Sequence, residues 1–452
     1  MFQAVIKLAI QVVLLISLAS CYTGARTVNS SFDDKEALYG LDSMVRTDIN
    51  KKNKGLLILS FSGGGTRAAA LSYGVLKQLR DTEYQDEAGA TNRLLDDVDI
   101  ISSVSGGSFT AAYYGLFGDQ IFNEFETIFL RKNVQSDLIG RVLNPFNWFG
   151  LISNSFDRTS LAVDYYDKNI FKEKTFADLY QRQGPEILIN ATDLSAGARI
   201  NFNQNVFTAL CSDILKLKIA YAVAASSAVP VLFPPVPLRN FDDCKIDLPP
   251  WFKEFVQKEN KTNREIELLN TVQKYFDKND TQYLHLVDGG ISDNLGLRSI
   301  FEAVTLRGGI KNTLRLAKIE KPEYLAIVVV NAEKLPLRPM SKSEKSPSTS
   351  QVMNAVTSIQ IQRYNAESIT LIDQSLKQWA DDLSDGDYNP RTYLIQLDYK
   401  HVVDEKKRKI FQNAPTSFTL EKDEVDNFIN VGQTLLKNSP EYQNMVKFIR
   451  HR

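Results

Sequence analysis

The sequence predicts an α/β fold with a mostly parallel central sheet and helices on both of its faces. Short, wholly apolar runs recur along the chain, and the leading ones pass through small residues into helical patterns. Apolar residues make up 43% of 452, enough for a sizeable core. Apolar strands alternating with helices are the pattern of a doubly wound sheet.

The first run, Leu56-Leu57-Ile58-Leu59-Ser60-Phe61, lacks the alternation of a half-exposed strand and reads as one buried on both faces. Glycines follow it directly. A helix is then predicted over 66–79, with Ala69, Tyr73, Leu76 and Leu79 at helical spacing. The same grammar returns at 98–104, followed by a helix over 108–116. Further strands are expected at 187–191, 284–287, 324–331 and 392–397. Three insertions interrupt them. Residues 133–157 are rich in aromatics and turn formers, including Leu143, Pro145, Phe146, Trp148, Phe149, Leu151 and Ile152. That segment reads either as a lid touching lipid or as packing against the core. Residues 251–280 read as a charged helical insertion whose apolar stripe is Ile266, Leu269, Val272 and Phe276. Residues 335–350 are rich in Pro, Ser and Lys and read as a mobile loop. One large domain over 51–440 is favoured, with a C-terminal tail at 441–452.

Net charge is −1, from 53 basic and 54 acidic residues, which gives no support to nucleic-acid binding. The run Lys406-Lys407-Arg408-Lys409 follows Asp404 and Glu405 and reads as a solvated turn. At the start of the chain, Lys7 precedes an apolar stretch over 8–19, too short to span a bilayer and suited to a secretory signal over 1–20. The segment closes as Leu18-Ala19-Ser20-Cys21, which resembles a bacterial lipobox. That resemblance implies cleavage before Cys21, lipidation of its thiol and anchoring to the cell envelope through residues 21–50 as a tether. The other reading is an ordinary signal peptide with an incidental cysteine. Tyr22 offers no aspartate-type retention cue, which favours the outer over the inner membrane. Cys211 and Cys244 remain, and in an oxidising envelope they read either as one disulfide or as two buried thiols. With no CxxC pair and no Cys/His cluster, a zinc site is not expected.

Three motifs carry chemistry. Ser62-Gly63-Gly64-Gly65-Thr66-Arg67 lies between a strand and a helix, where bare amides and a helix N-terminus form an anion cradle. Nucleotide binding is disfavoured, because neither a Walker lysine nor the GxGxxG spacing is present. Ser103-Val104-Ser105-Gly106-Gly107 has the form of a nucleophile elbow, with Ser105 at its apex and Ser103 in place of the usual first glycine. Asp288-Gly289-Gly290 ends a predicted strand, where α/β sheets place their ligands. Taken singly, the glycine loop is a weak signal and Asp288 is matched by a common turn-forming aspartate, whereas the elbow favours function over a Ser/Gly-rich packing turn.

Together and in this order, the motifs resemble the patatin-like phospholipase family. The resemblance extends to Ala225-Ser226-Ser227-Ala228-Val229-Pro230, to Phe233-Pro234-Pro235, and to the sequence from Asp288 through Gly296. Pro415-Thr416-Ser417-Phe418 and the helix through Val425, Ile429 and Gly432 resemble the end of bacterial members, so the likeness spans about 56–436. It implies a three-layer α/β fold and a serine acyl hydrolase that cleaves carboxylic esters of lipids. By the same resemblance Ser105 is the nucleophile, Asp288 its partner, and Gly63, Gly64, Gly65 and Arg67 line the oxyanion hole. No metal or organic cofactor is implied.

The histidines give an independent argument. A triad needs one, and the chain has only His285, His401 and His451. His285 precedes Asp288 by an odd offset, which points the two side chains to opposite faces, and it is expected to be a packed sheet residue. His401 adjoins the charged turn and His451 is penultimate, so a dyad is what remains. The expected activity is that of a phospholipase A or lysophospholipase. An esterase or thioesterase on smaller acyl substrates, and a non-catalytic lipid-binding lipoprotein, are the alternatives.

Overall fold

The computed structural model describes residues 27–32, 54–143, 158–230, 232–245, 248–334, 339–342, 344–414 and 416–451. The predicted signal, Cys21, most of the tether, Pro145 to Ile152 of the aromatic insertion, and parts of the 335–350 loop lie outside these residues.

Ten strands form in chain order: β1 (Gly55–Phe61), β2 (Glu83–Gln85), β3 (Thr91–Arg93), β4 (Val98–Val104), β5 (Glu186–Asp193), β6 (Ala198–Asn201), β7 (Val236–Arg239), β8 (Tyr283–Asp288), β9 (Tyr324–Asn331) and β10 (Arg391–Asp398). Eight of them build the main sheet in the order β10-β9-β1-β4-β5-β8-β7, with β6 paired to β5 outside this path. The run from β10 to β5 is parallel throughout. The other three are antiparallel to their neighbours, β8 and β6 to β5, and β7 to β8. β2 and β3 form a separate small hairpin.

Alternation along β1 divides the core. Leu57, Leu59 and Phe61 pack into one cluster with the helices Thr66–Arg80, Gly106–Phe117, Ile219–Ser226 and Lys422–Asn438. Leu56 and Ile58 pack into a second cluster with the helices Leu297–Leu306, Ile310–Leu316 and the long Thr349–Leu383. The three-layer arrangement follows. Every residue of β9 is buried, and each large apolar side chain there contributes about 1.5–3 kcal/mol on leaving water.

Several expectations need correction. The 251–280 insertion is two helices, Pro250–Gln257 and Asn263–Phe276, broken at Lys258, with Thr262 capping the second. Ile266 of its predicted stripe is exposed, whereas Leu269, Val272 and Phe276 pack on Trp251, Phe252 and Phe255. The predicted C-terminal tail is instead the helix Pro440–Arg450, whose Tyr442, Met445 and Ile449 are buried. Within the predicted tether, Asn29 is buried against the β7 edge: its amide oxygen accepts the Arg239 N–H at 2.8 Å, and its Nδ2 donates to Arg239 O at 2.8 Å. An asparagine amide satisfies an open sheet edge as a neighbouring strand would. Of the two readings given for Cys211 and Cys244, the disulfide is the one the structure contains and needs no correction, with the Cα atoms 5.6 Å apart.

Candidate active site

Adjacent parallel strands bring the first two motifs together. β1 ends at Phe61 opposite Ser103 of β4, so the loops leaving the two strands are neighbours. The chain turns sharply at Ser105, with φ 49° and ψ −119°, and the helix Gly106–Phe117 starts at the next residue. A non-glycine residue in this region costs on the order of 1–3 kcal/mol, and such strain is characteristic of functional turns. Small residues are needed here for a visible reason. A Cβ on Gly106 would lie 2.0 Å from Gly65 O, so the elbow packs backbone against the glycine loop.

β8 delivers the third motif. It runs antiparallel to β5 and pairs over three residues, placing Asp288 opposite Ala191. Val104 is opposite Asn190 on the other side of β5, so the elbow and the acid flank one point of the same strand. Ser105 Oγ donates to Asp288 Oδ2 at 2.8 Å, and both residues are buried. Asp288 Oδ1 accepts the Gly290 N–H at 2.8 Å. Burial raises the Asp288 pKa to about 6, against the opposing pull of the Gly290 and Ser105 hydrogen bonds.

The glycine loop is more selective than its sequence suggests. Gly63 N–H is spent on Asn294 O at 3.1 Å, and Thr66 N–H on Ser417 O at 2.9 Å. Among the described residues no acceptor meets the N–H of Gly64 or Gly65. Both have positive φ, 144° and 66°, which turns the backbone in a way open chiefly to glycine. Arg67 lies beside the same loop. Its buried guanidinium donates to Ala332 O at 3.0 Å, Ala414 O at 3.2 Å and Thr416 Oγ1 at 2.8 Å. Two of its nitrogens, Nε and Nη1, are thereby tied to the segments around Ala332 and Ala414, while Nη2 lies 3.2 Å from where a Cβ on Gly64 would stand, so the guanidinium stays beside the loop along with the amides of Gly64 and Gly65.

Three further residues hold the assembly. Ser226 Oγ accepts the Ser105 N–H at 2.8 Å and donates to Asn190 O at 2.6 Å, while Ser226 O accepts the Gly289 N–H at 3.1 Å. One serine thus ties the elbow to the turn after Asp288. Asn190 Nδ2 donates to Ser103 O and Ser102 Oγ, both at 3.0 Å, behind the elbow. Asn294 O takes the Gly63 amide. Ser226 lies in the Ala225-to-Pro230 motif and Asn294 follows Asp293, so both fall within recognised segments, but their roles are made by pairing across the fold. Asn190 carries no signal beyond its place in a strand.

His285 is exposed on β8 and not packed, because the β7–β8 side of the sheet is uncovered at that position. His401 and His451 are exposed as well. Among the described residues no group of three or more His, Cys, Asp or Glu is arranged to hold a metal.

Residues 59–301, more than half of the chain, match the sequence profile described as Patatin-like phospholipase, and they include the elbow, the acid and the glycine loop. The chain belongs to the patatin-like phospholipase family. It is therefore a lipid-hydrolysing enzyme of α/β architecture. Among solved structures, this patatin-like chain is similar to human GIVD cytosolic phospholipase A2, with 11% identity over 94% of this chain and 67% of that one, at a TM-score of 0.46. The same human enzyme in complex with methyl gamma-linolenyl fluorophosphonate gives 12% identity over 93% and 64%, at 0.44. The chain thus spans about two thirds of that protein. The structure of full-length ExoU with SpcU, from the type III secretion system of Pseudomonas aeruginosa, gives 14% identity over 88% and 90%, at 0.23. No curated protein matches.

Proposed function

We propose that this enzyme is a serine acyl hydrolase of the phospholipase A or lysophospholipase type, in which Ser105 and Asp288 act as a dyad. The observation that carries the proposal is the 2.8 Å Ser105–Asp288 hydrogen bond, held on a strained elbow beside two unengaged glycine amides. Asp288 Oδ2 takes the hydroxyl proton as Ser105 Oγ bonds to the ester carbonyl carbon. The carbonyl oxygen becomes an oxyanion, met by the N–H groups of Gly64 and Gly65, each worth roughly 3 kcal/mol in comparable sites. The C–O bond to the alcohol then breaks, and the protonated Asp288 returns its proton to the departing oxygen. Water, deprotonated by the same carboxylate, releases the acyl group and restores Ser105.

Lipid anchoring in the bacterial envelope is part of the proposal, supported by the Leu18-Ala19-Ser20-Cys21 pattern. It would hold the enzyme at the surface that carries its substrate.

An alkyl fluorophosphonate tests the dyad. The wild-type protein should gain one phosphonate adduct on the peptide containing Ser105, with parallel loss of phospholipid hydrolysis. Ser105→Ala should take up none and hydrolyse nothing. An adduct on another residue, or turnover by Ser105→Ala, rejects the assignment.

A further inference from the structure

The run Lys406-Lys407-Arg408-Lys409, expected as a solvated turn, is helical. It lies in the helix Glu405–Asn413, capped by Asp404, whose Oδ1 accepts the Lys406 and Lys407 N–H groups at 2.9 and 3.1 Å. Phe411 and Gln412 face inward and are buried. Lys406, Lys409, Ile410 and Asn413 recur at helical spacing on the opposite face, and all four are exposed. Glu405 pairs with Lys409 at 2.7 Å, whereas Lys406 and Lys407 meet no acidic side chain among the described residues.

The same element carries apolar groups in water. Val403 is 95% exposed and Ile410 60%, the two highest values for large apolar side chains among the described residues. One such residue alone needs no explanation. Two of them beside unpaired lysines make the composition of an element that lies in a bilayer interface, where apolar side chains enter the acyl boundary and lysines meet anionic head groups. A soluble polyanion would satisfy the lysines and leave Val403 and Ile410 in water.

The position of the helix joins it to the reacting centre. β1, β9 and β10 are parallel, and Phe61, Val330 and Leu397 stand level across them. The helix therefore follows β10 at the end of the sheet where β1 delivers the glycine loop. The chain leaving the helix is fastened to that loop. Arg67 Nη1 donates to Ala414 O at 3.2 Å and to Thr416 Oγ1 at 2.8 Å, and the Thr66 N–H donates to Ser417 O at 2.9 Å.

We propose that residues 403–413 form a docking surface for an anionic bilayer, with Lys406 and Lys407 on the head groups and Val403 and Ile410 in the acyl boundary. The choice of partner rests on the lipid-hydrolysing character of the family. It requires neither the Ser105–Asp288 dyad nor an acylated Cys21.

The test uses the full chain carrying Cys21→Ser, so that no acyl group contributes to binding. Vesicles are made of ether-linked phosphatidylcholine, with and without about 30% ether-linked phosphatidylglycerol, so that the enzyme finds no ester to cleave. The protein should sediment with the anionic vesicles and more weakly with the neutral ones. Lys406→Gln with Lys407→Gln should weaken binding to the anionic vesicles roughly 30-fold, at about 1 kcal/mol per lysine. Val403→Ser with Ile410→Ser should weaken it by about tenfold or more, which contact with head groups alone would not produce. Hydrolysis of a short water-soluble ester should be unchanged in both pairs. Equal binding to the two kinds of vesicle, or undiminished binding in either folded pair, would overturn the proposal. All four positions are exposed, and one pair decides should the other misfold. Anionic vesicle binding by a protein that leaves the soluble ester intact would count against the proposed function and support this surface.

Discussion

Replacing Asp288 by Asn separates catalysis from stability, and the structure gives a magnitude for both. The carboxyl group titrates near pH 6 in the folded protein, against 3.8 for the unperturbed group. Ionising it inside the fold therefore costs about 3 kcal/mol, at 1.36 kcal/mol per unit of difference. The folded state holds the proton more tightly than the unfolded state. The Asp288 contribution to stability is thus fully present below pH 4 and is lost as pH rises through 6. The substituted asparagine does not titrate, and its amide oxygen can still accept the Gly290 N–H. Relative to wild type, Asp288→Asn should gain up to about 3 kcal/mol at pH 8 and about 1 kcal/mol at pH 4.5, measured by denaturant unfolding at the two values. Comparing the two proteins at each pH cancels other groups that titrate in this range, including Asp293, which burial also raises to about 6. Turnover should move in the opposite direction, falling by roughly 10²–10⁴-fold as the base is lost. Wild-type kcat/KM should drop about tenfold per pH unit below 6, because a protonated Asp288 cannot accept from Ser105. Undiminished turnover in Asp288→Asn would refute the base assignment, and a stability gain confined to pH 4.5 would refute the account of burial.

Two other substitutions probe the elbow and the glycine loop. Ser105→Gly removes a non-glycine residue from φ 49° and should stabilise the protein by about 1–2 kcal/mol in chemical unfolding while abolishing hydrolysis. Gly65→Ala puts a Cβ 2.3 Å from the Ser417 carbonyl at φ 66°, so it should both destabilise the fold and lower kcat by roughly 10²-fold or more as a donor is displaced. An unchanged kcat there would remove Gly65 from the proposed oxyanion hole.

Much of this architecture is legible in the sequence because its cues are local. β1 and β4 are continuous apolar runs that end in small residues, and buried parallel strands require that pattern. The elbow shows itself because Ser105 must be followed by glycines where the chain passes against Gly65 O. Strand direction is different. β8 is as apolar over Leu286 and Val287 as a parallel strand, and nothing in it reports that it enters from the opposite end. Hydrogen-bond partners set by tertiary contact are also hidden. Gly63 and Gly64 look alike in sequence, yet one amide meets Asn294 O and the other meets no acceptor among the described residues. Arg67 follows the loop in sequence but is turned inward by Ala332, Ala414 and Thr416, the nearest of them 265 residues away. The last helix is hard to see for a related reason. Pro440 and the capping Ser439 mark its start, but its apolar stripe is only Tyr442, Met445 and Ile449.

The antiparallel entry of β8 bears directly on the proposed chemistry. In a triad, an imidazole spans the distance between acid and hydroxyl and supplies a base with a pKa near neutrality. With none of the three histidines at the site, the carboxylate must touch the hydroxyl itself and must also be made more basic than it is in water. Both demands are met by the same three-residue overlap with β5. The backbone of Asp288 is fixed by its N–H to Ala228 O at 2.9 Å and by Thr192 Oγ1 donating to its carbonyl at 2.9 Å. Gly290 then occupies Oδ1, which leaves Oδ2 to Ser105. Ending the strand beneath the elbow buries the acid, and burial is what carries its pKa to about 6. A longer pairing would carry the chain past the elbow, and a shorter one would leave the carboxylate in water and too weak a base for the step assigned to it.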